Sequence, residues 1–308
     1  MAAGGPPTDP VSERELLPEL FHAADSTSLL AQRRSITLVR WELLLLTAAA
    51  AVGSLGGGGF AWAAAAGYLA TATLAVALTR QQPLGLWYEG RAAAESVKTL
   101  AWKYAVRADA YQPPPTTLPD AEGLYQLQLR GLLRGFRHSA ALPADAEQQA
   151  GVTAAMRELR EQPLEVRREV YLRDRVQVQY DWYRAKAGYC ERAGRVTEWL
   201  GIALPAVGLL LAVLRAVGTL RFDPLGTVSA VAASVAAWAQ LRQYRPLAAA
   251  YRLAADELEL VRAQLTQLDL AAGGSEELWA RLARDAEDAV SREHTTWQAR
   301  REVRGPNH

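Results

Sequence analysis

The sequence holds a single cysteine, Cys190, among 308 residues. One thiol can form neither an intrachain disulfide nor a thiolate metal cluster. Its expected role is that of a small buried hydrophobe. Histidine is scarce as well: His22, His138, His294 and His308 lie far apart, and none belongs to a HxxxH or HExxH pattern. That excludes the common helical zinc arrangements. The only lysines are Lys98, Lys103 and Lys186, so basic charge is carried by arginine. With 34 basic against 33 acidic residues, the chain lacks the excess that draws a domain to nucleic acid by bulk charge, and no direct nucleic-acid partner is expected. There is no GxxxxGK[ST] phosphate loop, no GxGxxG after a strand and no GxSxG elbow. No catalytic, cofactor-binding or metal-ligating residue is therefore expected, and the chain reads as a non-enzyme.

What the sequence does have is uncharged length. Half of its residues are apolar, and they are clustered. No charge occurs from Leu43 through Thr79, and the middle of that run is Gly53-Ser-Leu-Gly-Gly-Gly-Gly59. A bilayer core takes about 20 helical residues to cross. The run thus reads as two spans, at 36–55 and 60–79, joined by a glycine turn. Trp41 and Trp62 stand near their ends, as interfacial tryptophans do. A second apolar region, interrupted by Arg215, Arg221 and Asp223, predicts spans at 197–216 and 224–243. The small residues Gly226, Ala230 and Ser234 recur every four positions there, a spacing that suits helix contact in lipid. The centres of all four spans carry no Asp, Glu, Lys, Arg or His, which argues against an ion-coupled transporter.

Charge at the flanks sets the expected orientation. Arg33, Arg34 and Arg40 precede the first span, Arg80 follows the second, Arg192 and Arg195 precede the third, and Arg242 and Arg245 follow the fourth. The positive-inside rule places these ends, both termini and the central segment in the cytoplasm.

Outside the spans the pattern is helical. Arg91, Glu95 and Lys98 have ion-pair spacing, and Val97, Leu100, Ala101 and Tyr104 form an apolar stripe. This helix is expected to run from 80 to 111 and to stop at Pro113-Pro-Pro115. Residues 112–151 read as a linker and 1–29 as a flexible tail. Helix resumes over 152–196 with a break at Pro163; Leu172, Val176, Tyr183, Ala187 and Cys190 share one face, and Arg167, Arg168, Arg173, Arg175 and Arg184 lie mostly on others. Leu247, Tyr251, Ala254, Leu258, Val261, Leu265 and Leu268 make a three-heptad seam, of which Leu258, Val261 and Leu265 are the candidate assembly residues. Arg91-Ala-Ala-Ala-Glu95 and Arg252-Leu-Ala-Ala-Asp256 stand in like places after their hairpins, which suggests a tandem duplication. The expected fold is all-α and integral to the membrane: two transmembrane hairpins, four spans in all, with long amphipathic helices forming a cytoplasmic bundle.

Asp181-Trp-Tyr-Arg-Ala-Lys-Ala187 and Glu95-Ser-Val-Lys-Thr-Leu-Ala-Trp-Lys-Tyr-Ala105, beside the two hairpins, resemble the SLATT family, the SMODS- and SLOG-associating two-transmembrane effector domains of bacteria. The likeness implies two copies, at 30–111 and 152–303. It also implies a multi-pass protein of the bacterial inner membrane, in contact with the lipid bilayer. Its implied role is the membrane-damaging arm of a nucleotide-dependent conflict system, homo-oligomeric and triggered by a separate nucleotide-sensing or nucleotide-synthesising protein. The alternative is a membrane scaffold whose helical bundle recruits a partner without permeation. The family supplies no catalytic residues to carry over.

Overall fold

A computed structural model describes residues 13–112, 120–137, 139–220 and 223–302, with side chains described up to Val290 except Ala289. It is all-α, and the described residues contain no strand. In chain order the helices are α1 Glu13–Leu16, α2 Glu19–Gly53, α3 Gly58–Gln81, α4 Pro83–Ala105, α5 Ala121–Gly135, α6 Ala146–Gln149, α7 Ala154–Glu161 and α8 Leu164–Val170. A π-helical stretch, Tyr171–Gln177, joins α8 to α9, Val178–Ala216. The chain then forms α10 Leu225–Arg242, α11 Tyr244–Gln267 and α12 Ser275–Glu302.

Three helical stretches hold segments long and apolar enough to cross a membrane, within Glu19–Gly53, Gly58–Ala105 and Leu164–Ala216. Almost none of their apolar windows is buried inside the chain. Trp62, Leu69, Trp199, Ile202 and Leu209 are each at least 66 % exposed. Apolar surface on this scale needs lipid, because in water it would aggregate. The helix α10, expected as a fourth span, is 18 residues long and is not one of the three. Gly56 and Gly57 have φ of 73° and 93°, which only glycine adopts without strain, so the turn between α2 and α3 requires them. Pro205 lies within α9, at a position where its missing N–H interrupts the hydrogen-bond ladder.

The chain forms two compact units. The span unit comprises Ala31–Leu84 and Ala185–Ala250, and the core unit comprises the remainder. The large hydrophobic core lies in the core unit. It gathers Leu16, Leu20, Val97, Trp102, Tyr125, Leu129, Tyr171, Leu258, Leu265 and Trp279.

The flexible tail was expected to extend to residue 29, but chain from Glu13 onward is helical, and Leu16, Leu17, Leu20, Phe21 and Ala24 are buried at helical spacing. Residues 1–12 and Pro113-Pro-Pro115 lie outside the described residues. The helix before those prolines ends at Ala105, well ahead of them, and Arg107 and Ala110 take positive φ. The expected linker 112–151 contains α5, whose Asp120 cap accepts from the Gly123 amide at 2.6 Å and whose Tyr125, Leu129 and Leu133 enter the core. Its apolar residues repeat every four positions, a periodicity that the neighbouring glycines and prolines obscure.

The duplication is visible in the backbone. Gln82 ends α3 in the left-handed region (φ 39°, ψ 50°), its amide donating to the Leu78 carbonyl. Gln243 ends α10 in the same way (φ 45°, ψ 44°), donating to Ala239. One spacing relates Gln82 to Gln243, Arg91 to Arg252, Glu95 to Asp256, and the buried Ala94, Val97 and Tyr104 to the buried Ala255, Leu258 and Leu265. This non-glycine turn explains why α3 does not continue into α4: Pro83 cannot donate to the ladder, and it disfavours α geometry at Gln82.

Candidate functional site: a polar seam among the spans and a buried charge pair

In the span unit, α2 and α10 meet through polar residues one heptad apart. Thr47 Oγ1 lies 3.1 Å from Ser234 Oγ. Seven residues further on, Ser54 Oγ lies 3.2 Å from Thr227 Oγ1. One heptad the other way, the Arg40 guanidinium lies 5.7 Å from the centre of the Trp238 ring. The numbers rise along α2 as they fall along α10, so the helices run antiparallel. Thr47 and Ser54 also donate to the carbonyls of Leu43 and Ala51 at 2.8 and 2.7 Å. Each hydroxyl is thus satisfied in a region where an unmet polar group is costly. The two hairpins therefore pack together within one chain. Small residues close the gaps: a Cβ on Gly67 of α3 would stand 2.8 Å from that of Ala49 on α2.

Of the predicted contact stripe, Ser234 meets the first hairpin at Thr47. Ala230 is half-buried, and a Cβ on Gly226 would find nothing within 4 Å. The contact face of α10 is instead Thr227, Ser234 and Trp238. The polarity of Thr227 and Trp238 hid it from a search for small residues. In the heptad seam, Leu258 and Leu265 are buried in the chain's own core, and Val261 is partly buried against it. The period-3.5 pattern marks an apolar face without naming the helix that covers it, because intrachain and interchain packing produce the same stripe.

The core unit holds an ion pair that the sequence reading did not find. Arg175, in the π-helical stretch, donates from Nε and Nη2 to the two oxygens of Glu287 at 2.9 and 2.8 Å. The Tyr171 hydroxyl donates to the same carboxylate at 2.9 Å. Both side chains are nearly sealed from solvent, at 2 % and 0 % exposure. Burial pushes the Arg175 guanidinium down, but the charge and hydrogen bonds of Glu287, with the charge of Glu95, outweigh it and hold the cation firmly protonated. The Tyr171 phenol is raised well above its ordinary value, first by burial and then by the Glu287 charge. Close by, Arg91 pairs with Glu95 at 2.6 Å as its spacing predicts. Lys98 pairs with Glu13 of α1, and burial together with the Arg175 charge lowers its pKa.

Arg167 and Arg175 were expected mostly off the apolar face, yet both are buried. Arg167 donates to the carbonyls of Gln162 and Val106 at 3.0 and 2.8 Å and to Glu276 at 2.5 Å. It thereby satisfies the open C-terminus of α4, where Trp279 Nε1 also donates to Val106 O at 2.7 Å. Arg167, Tyr171 and Arg175 stand four residues apart. That spacing was legible as one face, but general arginine abundance masked it. Val176, Tyr183, Ala187 and Cys190 are buried as expected, and burial raises the Cys190 thiol.

With this geometry in place, the chain can be set beside known families. Residues 18–168 match the family described as SMODS and SLOG-associating 2TM effector domain 3, and residues 171–297 match SMODS and SLOG-associating 2TM effector domain 1. This is a SLATT protein with two domains in tandem. No curated protein and no solved structure matches it. The two SLATT matches meet where α8 gives way to the π-helical stretch. The first runs through the segment read as a linker, consistent with α5 being part of a core. The family match and the exposed apolar helices together make this a membrane protein.

Proposed function

We propose that this SLATT protein is a non-enzymatic effector of the bacterial inner membrane that assembles into homo-oligomers and depolarises or perforates the membrane. Its trigger is a nucleotide-sensing or nucleotide-synthesising partner in a conflict system. The observation that carries the reading is the pair of tandem matches, each to a two-transmembrane effector domain. The reading takes α10 as a fourth span: its 18 residues reach about 27 Å at 1.5 Å per residue, close to one hydrocarbon core. Both termini then lie in the cytoplasm, as the arginine flanks favour. Because Leu258, Leu265 and Ser234 make contacts within the chain, assembly uses the outward faces of the spans.

The test is dye release from sealed vesicles carrying the purified full chain. Release that rises steeply with protein density supports a pore built from several chains. Vesicles that stay sealed at every density, with and without a nucleotide-synthesising enzyme of the proposed partner class and its product, overturn it and leave the scaffold reading.

A further inference from the structure

Two arginines from different helices of the span unit share one indole. The guanidinium carbons of Arg40 on α2 and Arg242 on α10 lie 5.7 and 5.8 Å from the centre of the Trp238 ring. Arg242 also sits 5.5 Å from the Tyr244 ring, and Trp238 Nε1 donates to the Tyr244 hydroxyl at 3.2 Å. Tyr189 of α9 lies edge-on to Tyr244 at 6.3 Å. Neither arginine has a carboxylate partner among the described residues, and the buried Nε of Arg242 has no hydrogen-bond acceptor. Glu198 is already held by Arg245. An aromatic face attracts each cation but neutralises neither.

The surroundings add charge of the same sign. Arg33, Arg34, Arg80, Arg192 and Arg195 are exposed and also lack ion pairs among the described residues. At the opposite end of the spans the pattern reverses, because Arg215 is paired with Asp223 and residues 54–59 carry no charge. Among the described residues, the arginines without ion pairs therefore gather at one end of the spans. Apolar surface begins immediately beside it, where Leu44, one turn beyond Arg40, is 53 % exposed.

We propose that Arg40 and Arg242 bind the phosphate of an anionic phospholipid, with Trp238 and Tyr244 as the platform at headgroup depth. The inference rests on the span unit lying in lipid. A guanidinium fork matches phosphate geometry, and tryptophan and tyrosine favour the headgroup layer. Basic pockets between spans on the cytoplasmic side suit anionic headgroups. A lipid fits better than a soluble anion because its acyl chains cover the apolar surface next to Arg40. A zwitterionic lipid fits less well, because its own cation opposes the arginines.

The test is native mass spectrometry of the full chain, released from micelles containing equal amounts of phosphatidylglycerol and phosphatidylcholine. Phosphatidylglycerol is expected to stay bound where phosphatidylcholine is lost. Arg40→Gln with Arg242→Gln should weaken its retention roughly thirtyfold, at roughly fivefold per arginine. Arg284→Gln, in the core unit, should change nothing. Should the double variant fold poorly, the unmodified chain still decides, because rising salt should strip phosphatidylglycerol and spare phosphatidylcholine. Equal retention of both lipids, retention insensitive to the substitutions and to salt, or full displacement by millimolar inorganic phosphate overturns the proposal. Release of the chain from membranes by alkaline carbonate would instead overturn the underlying membrane placement.

Discussion

Thr47 and Ser234, 187 positions apart, face each other at 3.1 Å between α2 and α10. This contact packs the two hairpins of the span unit against each other. In a Cys190→Ala background, Thr47→Cys with Ser234→Cys should form a disulfide within the monomer under mild oxidation in membranes. A crosslinked dimer at low expression, with no intrachain product, would show that the hairpins swap between chains. Ser234→Ala alone should cost about 0.6 kcal/mol, the average for such bonds in membrane bundles.

The Arg175–Glu287 pair predicts a large and asymmetric stability effect. Glu287→Gln strands a buried cation and should cost about 3–5 kcal/mol. Arg175→Met combined with Glu287→Leu should recover most of that loss, because no charge remains to be desolvated. Heat denaturation in detergent distinguishes the two. A single variant as stable as the parent would show that the carboxylate does not support Arg175.

Alkaline pH should weaken the core unit. Burial raises the phenols of Tyr111 and Tyr125, and burial with the Glu287 charge raises that of Tyr171. In the unfolded chain they ionise near pH ~10, whereas in the fold they keep their protons to higher pH. The unfolded state therefore binds fewer protons above pH ~10, so their contribution is complete below that pH and is lost above it. Lys98 acts in the opposite sense, since its lowered pKa makes stability rise up to the ordinary lysine value, but it is one group against three. The melting temperature should fall from pH ~10 upward, and less steeply in a Tyr111→Phe, Tyr125→Phe, Tyr171→Phe triple variant. Identical slopes would remove the tyrosines from the explanation.

Two glycines in the spans should respond differently. Gly67→Ala places a methyl 2.8 Å from the Ala49 methyl and should cost about 1–3 kcal/mol by overpacking. Gly226→Ala meets nothing within 4 Å and should be neutral or slightly stabilising. Thermal melts of the two variants side by side check this. Equal losses would mean that Gly226 packs against a second chain.

The sequence announces what depends on composition over long windows. Uncharged stretches of about 20 residues, the glycine turn at Gly56 and Gly57, the break at Pro163 and the matching Arg91–Glu95 and Arg252–Asp256 segments could all be read directly. Partner choice could not. A heptad stripe such as Leu258 to Leu265 reports that a face is buried, not against which helix. The contacts of Thr47 with Ser234 and of Arg175 with Glu287 join residues more than a hundred positions apart, and no local pattern marks either member. The helix α5 was hidden because glycines and prolines around it resemble a loop, although Tyr125, Leu129 and Leu133 already had helical spacing.

The most direct test of the effector reading is the membrane potential of a bacterial host, followed with a voltage-sensitive dye. This chain is induced together with a nucleotide-synthesising enzyme of the proposed partner class and compared with an unrelated membrane protein at matched level. Depolarisation within minutes, lost when the enzyme's nucleotide synthesis is disabled, is the predicted result. A potential that stays constant at verified membrane levels, with the enzyme active, would contradict the account.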